Sequence, residues 1–162
     1  MIHVYYFATR KTGMDEVEFH RYWREVHGPI VVKIRQLRRY VQSHRIATAR
    51  TGSAYDEGAS PYDGVAEVLL DGLEAFAATR ETPEYLEGAL ADERNFIDLT
   101  RVEWMVTADH VILDGPAGGR LVKGVWQLKR KPGMALADFR RYWIDVHGKL
   151  ALALPGLRRY VQ

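Results

Sequence analysis

The chain has 162 residues, 47% of them hydrophobic, enough to bury a core and to form one domain, or one domain plus part of another. A net charge of +2, from 23 basic and 21 acidic residues, argues against a nucleic-acid surface: in the one dense basic stretch, "KIRQLRRYVQSHR", Arg38 and Arg39 point to opposite faces of a strand. The absence of cysteine excludes a thiol nucleophile, a disulfide framework, an iron–sulfur cluster and a thiolate zinc site, and no run approaches the roughly 18 apolar residues of a membrane helix.

"IHVYYFAT", residues 2–9, is rich in β-branched and aromatic residues and is predicted as a strand, ended by a turn around Gly13. The start of the chain lacks the basic-then-apolar order of a signal peptide, so the expected location is the cytoplasm. A helix follows. Asp15 is its N-cap with Glu18 in a capping-box position, and Phe19, Tyr22, Trp23 and Val26 fall at i, i+3, i+4 and i+7 as one buried face. Gly28 and Pro29 are expected to stop it. His27 then lies about 40° from Trp23 on the helical wheel, at the edge of the apolar stripe. Position alone leaves two uses for it open, a partner for the last helix carbonyls or an acid/base group at a pocket. His20 is two turns away from His27, too far for an i, i+4 metal pair, and no metal site is expected.

"LRRYVQSHRIAT", residues 37–48, is the second strand. Tyr40 shares a face there with Arg38, Gln42 and His44, a polar row able to line a pocket. A phenol in that row can donate a hydrogen bond to a developing oxyanion, or serve as an amphipathic edge tyrosine. Residues 49–62 turn to Gly, Ser, Thr and Pro, a loop long enough to act as a lid. A third strand at residues 63–70, helices at residues 72–80 and 83–99, and a fourth strand at residues 101–113 complete the order β-α-β-β-α-β. That is an α+β, split-βαβ (ferredoxin-like) unit, a four-stranded antiparallel sheet with both helices on one face. The other face, expected to carry large apolar groups from "VEWMV", needs a partner, either a second copy of the chain or a duplicated unit within it.

The chain supplies such a duplicate. "RYWREVHG" returns as "RYWIDVHG" at an offset of 120, and seven of the ten positions from Phe19 to Gly28 are identical in the second copy. "LRRYVQ" at residues 37–42 returns unchanged at residues 157–162, so His147 and Tyr160 are the counterparts of His27 and Tyr40. A period this long marks a repeated domain. The expected layout is a unit at residues 1–113, a linker at residues 114–120 and a partial second repeat, strand, helix and strand, at residues 121–162. Lys149 replaces Pro29 and Arg140 replaces His20, which makes His147 the weaker candidate.

The signature "FHRYWREVHGP", the following "LRRYVQ" and the later "ADERNFID" resemble the EthD family of the dimeric α+β barrel superfamily. The resemblance implies sheet-to-sheet pairing, as a homodimer or as an intrachain pseudo-dimer. It also implies a small apolar oxygenated ligand such as a lactone, a polyketide or an ether-degradation intermediate. Relatives with lactone or polyketide substrates use a pocket histidine, so His27 and Tyr40 become the candidate catalytic pair, with Phe19, Trp23, Gln42 and His44 as the binding wall. Asp92 and Glu93 resemble the family's acidic pair, in which Glu93 would orient a histidine, although a solvated helix face also fits their charge density. No cofactor is expected. The glycine-rich stretches lack the spacing of a dinucleotide site, no serine sits in a nucleophile elbow, and ligation of haem by one histidine stays an open alternative. The function expected is cofactor-independent acid/base catalysis; the alternative is a non-catalytic ligand-binding or stress-associated barrel protein.

Overall fold

A computed structural model describes residues 1–46, 60–116 and 121–162. Residues 49–59 of the expected lid and residues 117–120 of the expected linker lie outside the described residues. The chain divides into two compact units, Met1–Ala108 and Asp109–Gln162.

The first unit opens with β1 (Ile2–Ala8), followed by α1 (Glu16–Tyr22). Asp15 caps α1 as expected, accepting from the backbone N–H of Val17 and Glu18 at 2.8 and 3.2 Å. Glu18 does not reach back to close a capping box; its carboxylate accepts from Arg21 instead, at 2.7 and 2.6 Å. The helix does not stop at Gly28. It passes through a π-helical stretch, Trp23–His27, into α2 (Gly28–Val31), with Pro29 near the start of α2, where a missing N–H is tolerated. His27 is therefore inside a continuous helix, and the C-terminal cap reading is overturned.

β2 (Arg39–His44) and β3 (Gly64–Leu70) lead to α3 (Leu73–Thr79). A second π-helical stretch, Glu84–Ala89, then runs into α4 (Leu90–Phe96), and β4 (Glu103–Thr107) closes the unit. The sheet is antiparallel in the order β2-β3-β1-β4, which is the split-βαβ arrangement. Its register places Gln42, Ala66, Tyr6 and Trp104 in one row and Tyr40, Val68, Val4 and Val106 in another, all on one face. Residues of both rows pack against Trp23, Phe19, Phe96 and Ala89, so this is the face that the helices cover. The opposite face carries Tyr5, Val41, Glu67, Leu69 and Met105. Trp104, counted in the sequence among the groups of the open face, lies on the helix side with its ring 6.0 Å from that of Phe76. Trp23, Phe19, Phe96 and Leu70 are the largest fully buried side chains.

The second unit holds β5 (Val111–Leu113), α5 (Leu136–Tyr142), a π-helical stretch Trp143–His147, α6 (Gly148–Ala151) and β6 (Tyr160–Val161). β5 pairs antiparallel with β6. The strand expected over residues 101–113 is thus broken in two, and the expected strand from Leu121 is absent: residues 121–131 have no regular structure. In the first unit β1 lies between β3 and β4; no strand among the described residues flanks residues 121–131, and an extended segment without ladder partners gains no strand hydrogen bonds.

Candidate functional site

Between helices and sheet of the first unit lies a cavity of about 380 Å³, a volume suited to a small organic molecule. Its wall is mostly apolar, with Val4, Ala8, Val31, Ile34, Val68 and Leu70 among the lining groups, and Tyr6, Trp23, His27, Tyr40, Tyr85 and Glu93 bring polar atoms to it.

His27 is 5% exposed, and its ring lies 4.9 Å from that of Phe96. Its Nδ1 is 2.9 Å from Oδ2 of Asp92, the first residues of α4 having been brought against the π-helical stretch. Asp92 also accepts from the Tyr22 hydroxyl at 2.7 Å and the Asn95 amide at 2.9 Å. Burial raises the proton affinity of Asp92, but the hydrogen bonds from Tyr22, His27 and Asn95 outweigh it and hold the group below the usual carboxylate range. A carboxylate accepting at Nδ1 fixes the proton there and leaves Nε2 with a lone pair. Burial pushes the His27 pKa down, against the pull of Asp92, so the ring is neutral near neutral pH.

Glu93, the next residue, is 9% exposed and faces the cavity. Burial raises its pKa to about 7, opposed by a hydrogen bond from Tyr6 and helped by the charge of Asp92. The Tyr6 hydroxyl donates to Oε2 at 2.9 Å, which leaves Oε1 to carry the proton. Burial first, then Glu93, keeps the Tyr6 phenol protonated.

Tyr40 lines the same cavity. Its hydroxyl oxygen accepts from Nε1 of Trp23 at 3.3 Å and from Nε2 of Gln42 at 3.1 Å. With both lone pairs engaged, its own hydrogen is left to donate elsewhere. Burial raises its pKa, against the donors Gln42 and Trp23.

Of the residues chosen from sequence, His27, Tyr40 and Trp23 are brought together on the cavity wall, while Phe19, Gln42 and His44 are not on it. Phe19 is wholly buried in the core; Gln42 and His44 stand behind Tyr40 and Trp23, with the His44 ring 4.6 Å from that of Trp23. In the second unit His147 is exposed and no carboxylate is bonded to it among the described residues, whereas Tyr160 is half-buried and accepts from Gln162 at 2.8 Å. The sequence weighed Glu93 as the group that orients the histidine against a solvated helix face; the histidine bonds to Asp92 instead, and Glu93 is buried on the cavity wall. The signal was available, since Ala89, Glu93 and Phe96 share one helical stripe and Tyr6 alternates with Val4 and Ala8. Among the described residues no group of three or more His, Cys, Asp or Glu is placed to hold a metal ion.

The EthD domain matches residues 11–100 and 131–162. Dehydratase CTB10 of Cercospora beticola is 24% identical over 110 residues, 62% of this chain and 83% of the relative. The conidial pigment biosynthesis dehydratase EthD of Metarhizium robertsii is 28% identical over 102 residues, 58% of this chain and 72% of the relative. The crystal structure of an EthD family protein from Bacillus halodurans superposes with a TM-score of 0.53 at 19% identity, covering 67% of this chain and 97% of that one, a likeness of fold. No helix of the described residues is long and apolar enough to cross a membrane.

Proposed function

The chain belongs to the EthD family, and from that membership and the cavity we propose that it is a cofactor-independent dehydratase acting on a small, mostly apolar β-hydroxy ketone of polyketide type. The observation that carries this reading is a base and an acid of opposite tuning on one cavity wall, His27 held neutral and Glu93 held protonated up to about pH 7. Elimination of water needs both.

Nε2 of His27 takes the proton from the carbon beside the ketone, while Asp92 stabilises the imidazolium that forms. The enolate oxygen receives the Tyr40 hydrogen bond. Glu93 gives its proton to the β-hydroxyl, the carbon–oxygen bond breaks, the double bond closes and water leaves. His27 then loses its proton to solvent and Glu93 regains one, which restores both groups. The apolar wall around them matches a ligand with few polar groups. Two copies pairing through the face that carries Tyr5, Val41 and Met105 would complete a homodimeric barrel.

Appearance of conjugated enone absorbance from a panel of β-hydroxy ketones tests the reading. His27→Ala and Glu93→Gln should each lower kcat by about 10²- to 10⁴-fold while ligand affinity persists. The pH profile of kcat/KM should be bell-shaped, falling on the acid side below the usual histidine range as His27 protonates and on the basic side near 7 as Glu93 ionises. Ketones that bind the wild type and are never converted would favour the binding-only alternative.

A further inference from the structure

A chain of hydrogen bonds runs from the outer flank of α1 to the Tyr40 hydroxyl, and every link in it has a defined direction. The carbonyl oxygen of Trp23 can only accept, so the atom of Gln42 that lies 2.8 Å from it is the amide nitrogen. The other end of that amide is then an acceptor, and it lies 3.2 Å from Nε2 of His44, which must carry a hydrogen. A neutral His44 protonated at Nε2 has a lone pair at Nδ1, and Nδ1 of His20 stands 2.9 Å away as its donor. His20 thus has its hydrogen on Nδ1, leaving its Nε2 buried without a hydrogen-bond partner, 3.8 Å from Oε1 of Glu16. Donation passes from His20 to His44, to Gln42, to Tyr40.

We propose that His44, set by His20, is a positioning residue that acts through Gln42 to turn the Tyr40 hydroxyl hydrogen into the cavity. None of the three lines the cavity, yet together they remove the other orientations open to the phenol. Gln42 uses one nitrogen to hold both the Trp23 carbonyl and the Tyr40 oxygen, and His44 keeps that amide from rotating. The second unit repeats the inner links. Gln162 reaches the Trp143 carbonyl at 3.0 Å and the Tyr160 hydroxyl at 2.8 Å. Arg140 stands at the position of His20 there.

This inference rests on the reading of Tyr40 as an oxyanion donor, and the two can fail separately. The probe is 4-nitrophenol, whose absorbance reports ionisation in the bound state, with 4-nitroanisole as a neutral analogue of similar shape. At about pH 6 Glu93 holds its proton and does not repel the anion. The wild type should bind nitrophenol with a larger ionised fraction than free solution gives. Tyr40→Phe should abolish that excess, and His44→Phe, which keeps an aromatic ring against Trp23, should lower the preference for anion over anisole by about 3- to 10-fold with anisole affinity unchanged. His44→Leu serves as a second variant if the new ring disturbs Trp23. An undiminished anion preference in both His44 variants, with Tyr40→Phe defective, would overturn the positioning role alone. Equal ionisation in wild type and Tyr40→Phe would overturn the oxyanion role and the inference with it.

Discussion

Asp92 and Glu93 adjoin in sequence, yet one is held ionised by three donors while the other is pushed toward neutrality by burial. The difference follows from their places on α4. Asp92 turns to Tyr22, His27 and Asn95 at the helix flank, and Glu93 turns down the apolar stripe to a single donor, Tyr6. The raised pKa has a cost in stability. Below about pH 4.5 Glu93 is neutral in both folded and unfolded chains and contributes nothing; as pH rises toward 7 the unfolded chain ionises first, so the native state loses stability relative to it. Replacement by an uncharged isostere removes that loss. Glu93→Gln should therefore match the wild type in urea denaturation near pH 4 and exceed it above pH 7 by up to about 3 kcal/mol, although its turnover is lowered; equal stability at both pH values would count against a buried, proton-retaining carboxyl. The candidate histidine and tyrosine were legible in sequence from their positions on apolar and polar stripes. The burial of Glu93 went unread although its stripe with Ala89 and Phe96 carried it, because the charge density of the helix favours a solvated face.

The helix through His27 shows how an element departs from its sequence pattern. Gly28 and Pro29 read as a stop, but in the π-helical stretch the Gly28 N–H bonds to the Trp23 carbonyl, five residues back, and the chain continues. Lys149 occupies the proline position in the second unit, which makes the same π-helical stretch at Trp143–His147, so proline is not its cause. Such stretches accompany functional sites in other helices, and here the wider turn carries both Trp23 and His27 to the cavity wall. β3 makes room for it. A Cβ added at Gly64 would lie 2.3 Å from the Trp23 ring and 2.9 Å from the Ser43 carbonyl oxygen, contacts that force a shift of the ring or of the backbone. Gly64→Ala should destabilise the fold by about 1–3 kcal/mol in thermal unfolding and reduce ligand affinity by displacing Trp23; an unchanged Tm would show that the ring has free space to yield. A periodicity of 3.6 found the helix and its buried face, but the register of β3 against Trp23 is a tertiary contact that no local pattern encodes.

At the scale of the whole molecule, all the cavity-lining residues belong to Met1–Ala108. The βαββαβ order was readable because each element carries its own period, and the sheet order β2-β3-β1-β4 is the one a split-βαβ unit adopts. The segment after residue 120 was misjudged because strand formation depends on neighbours as well as on propensity. A chain ending at Ala108 should fold and bind the ketone panel within about twofold of the full chain, since it keeps the intact sheet, the helix layer that covers it and every lining group; loss of binding on truncation would place part of the site in the second unit. What unites these scales is a single chemical act, removal of a proton from carbon by His27. It is observed most directly with a ketone that lacks the β-hydroxyl, incubated in heavy water and followed by NMR. The wild type and Glu93→Gln should wash deuterium into the position beside the carbonyl, and His27→Ala should do so at least about 10²-fold more slowly. Exchange by His27→Ala at the wild-type rate would contradict the account.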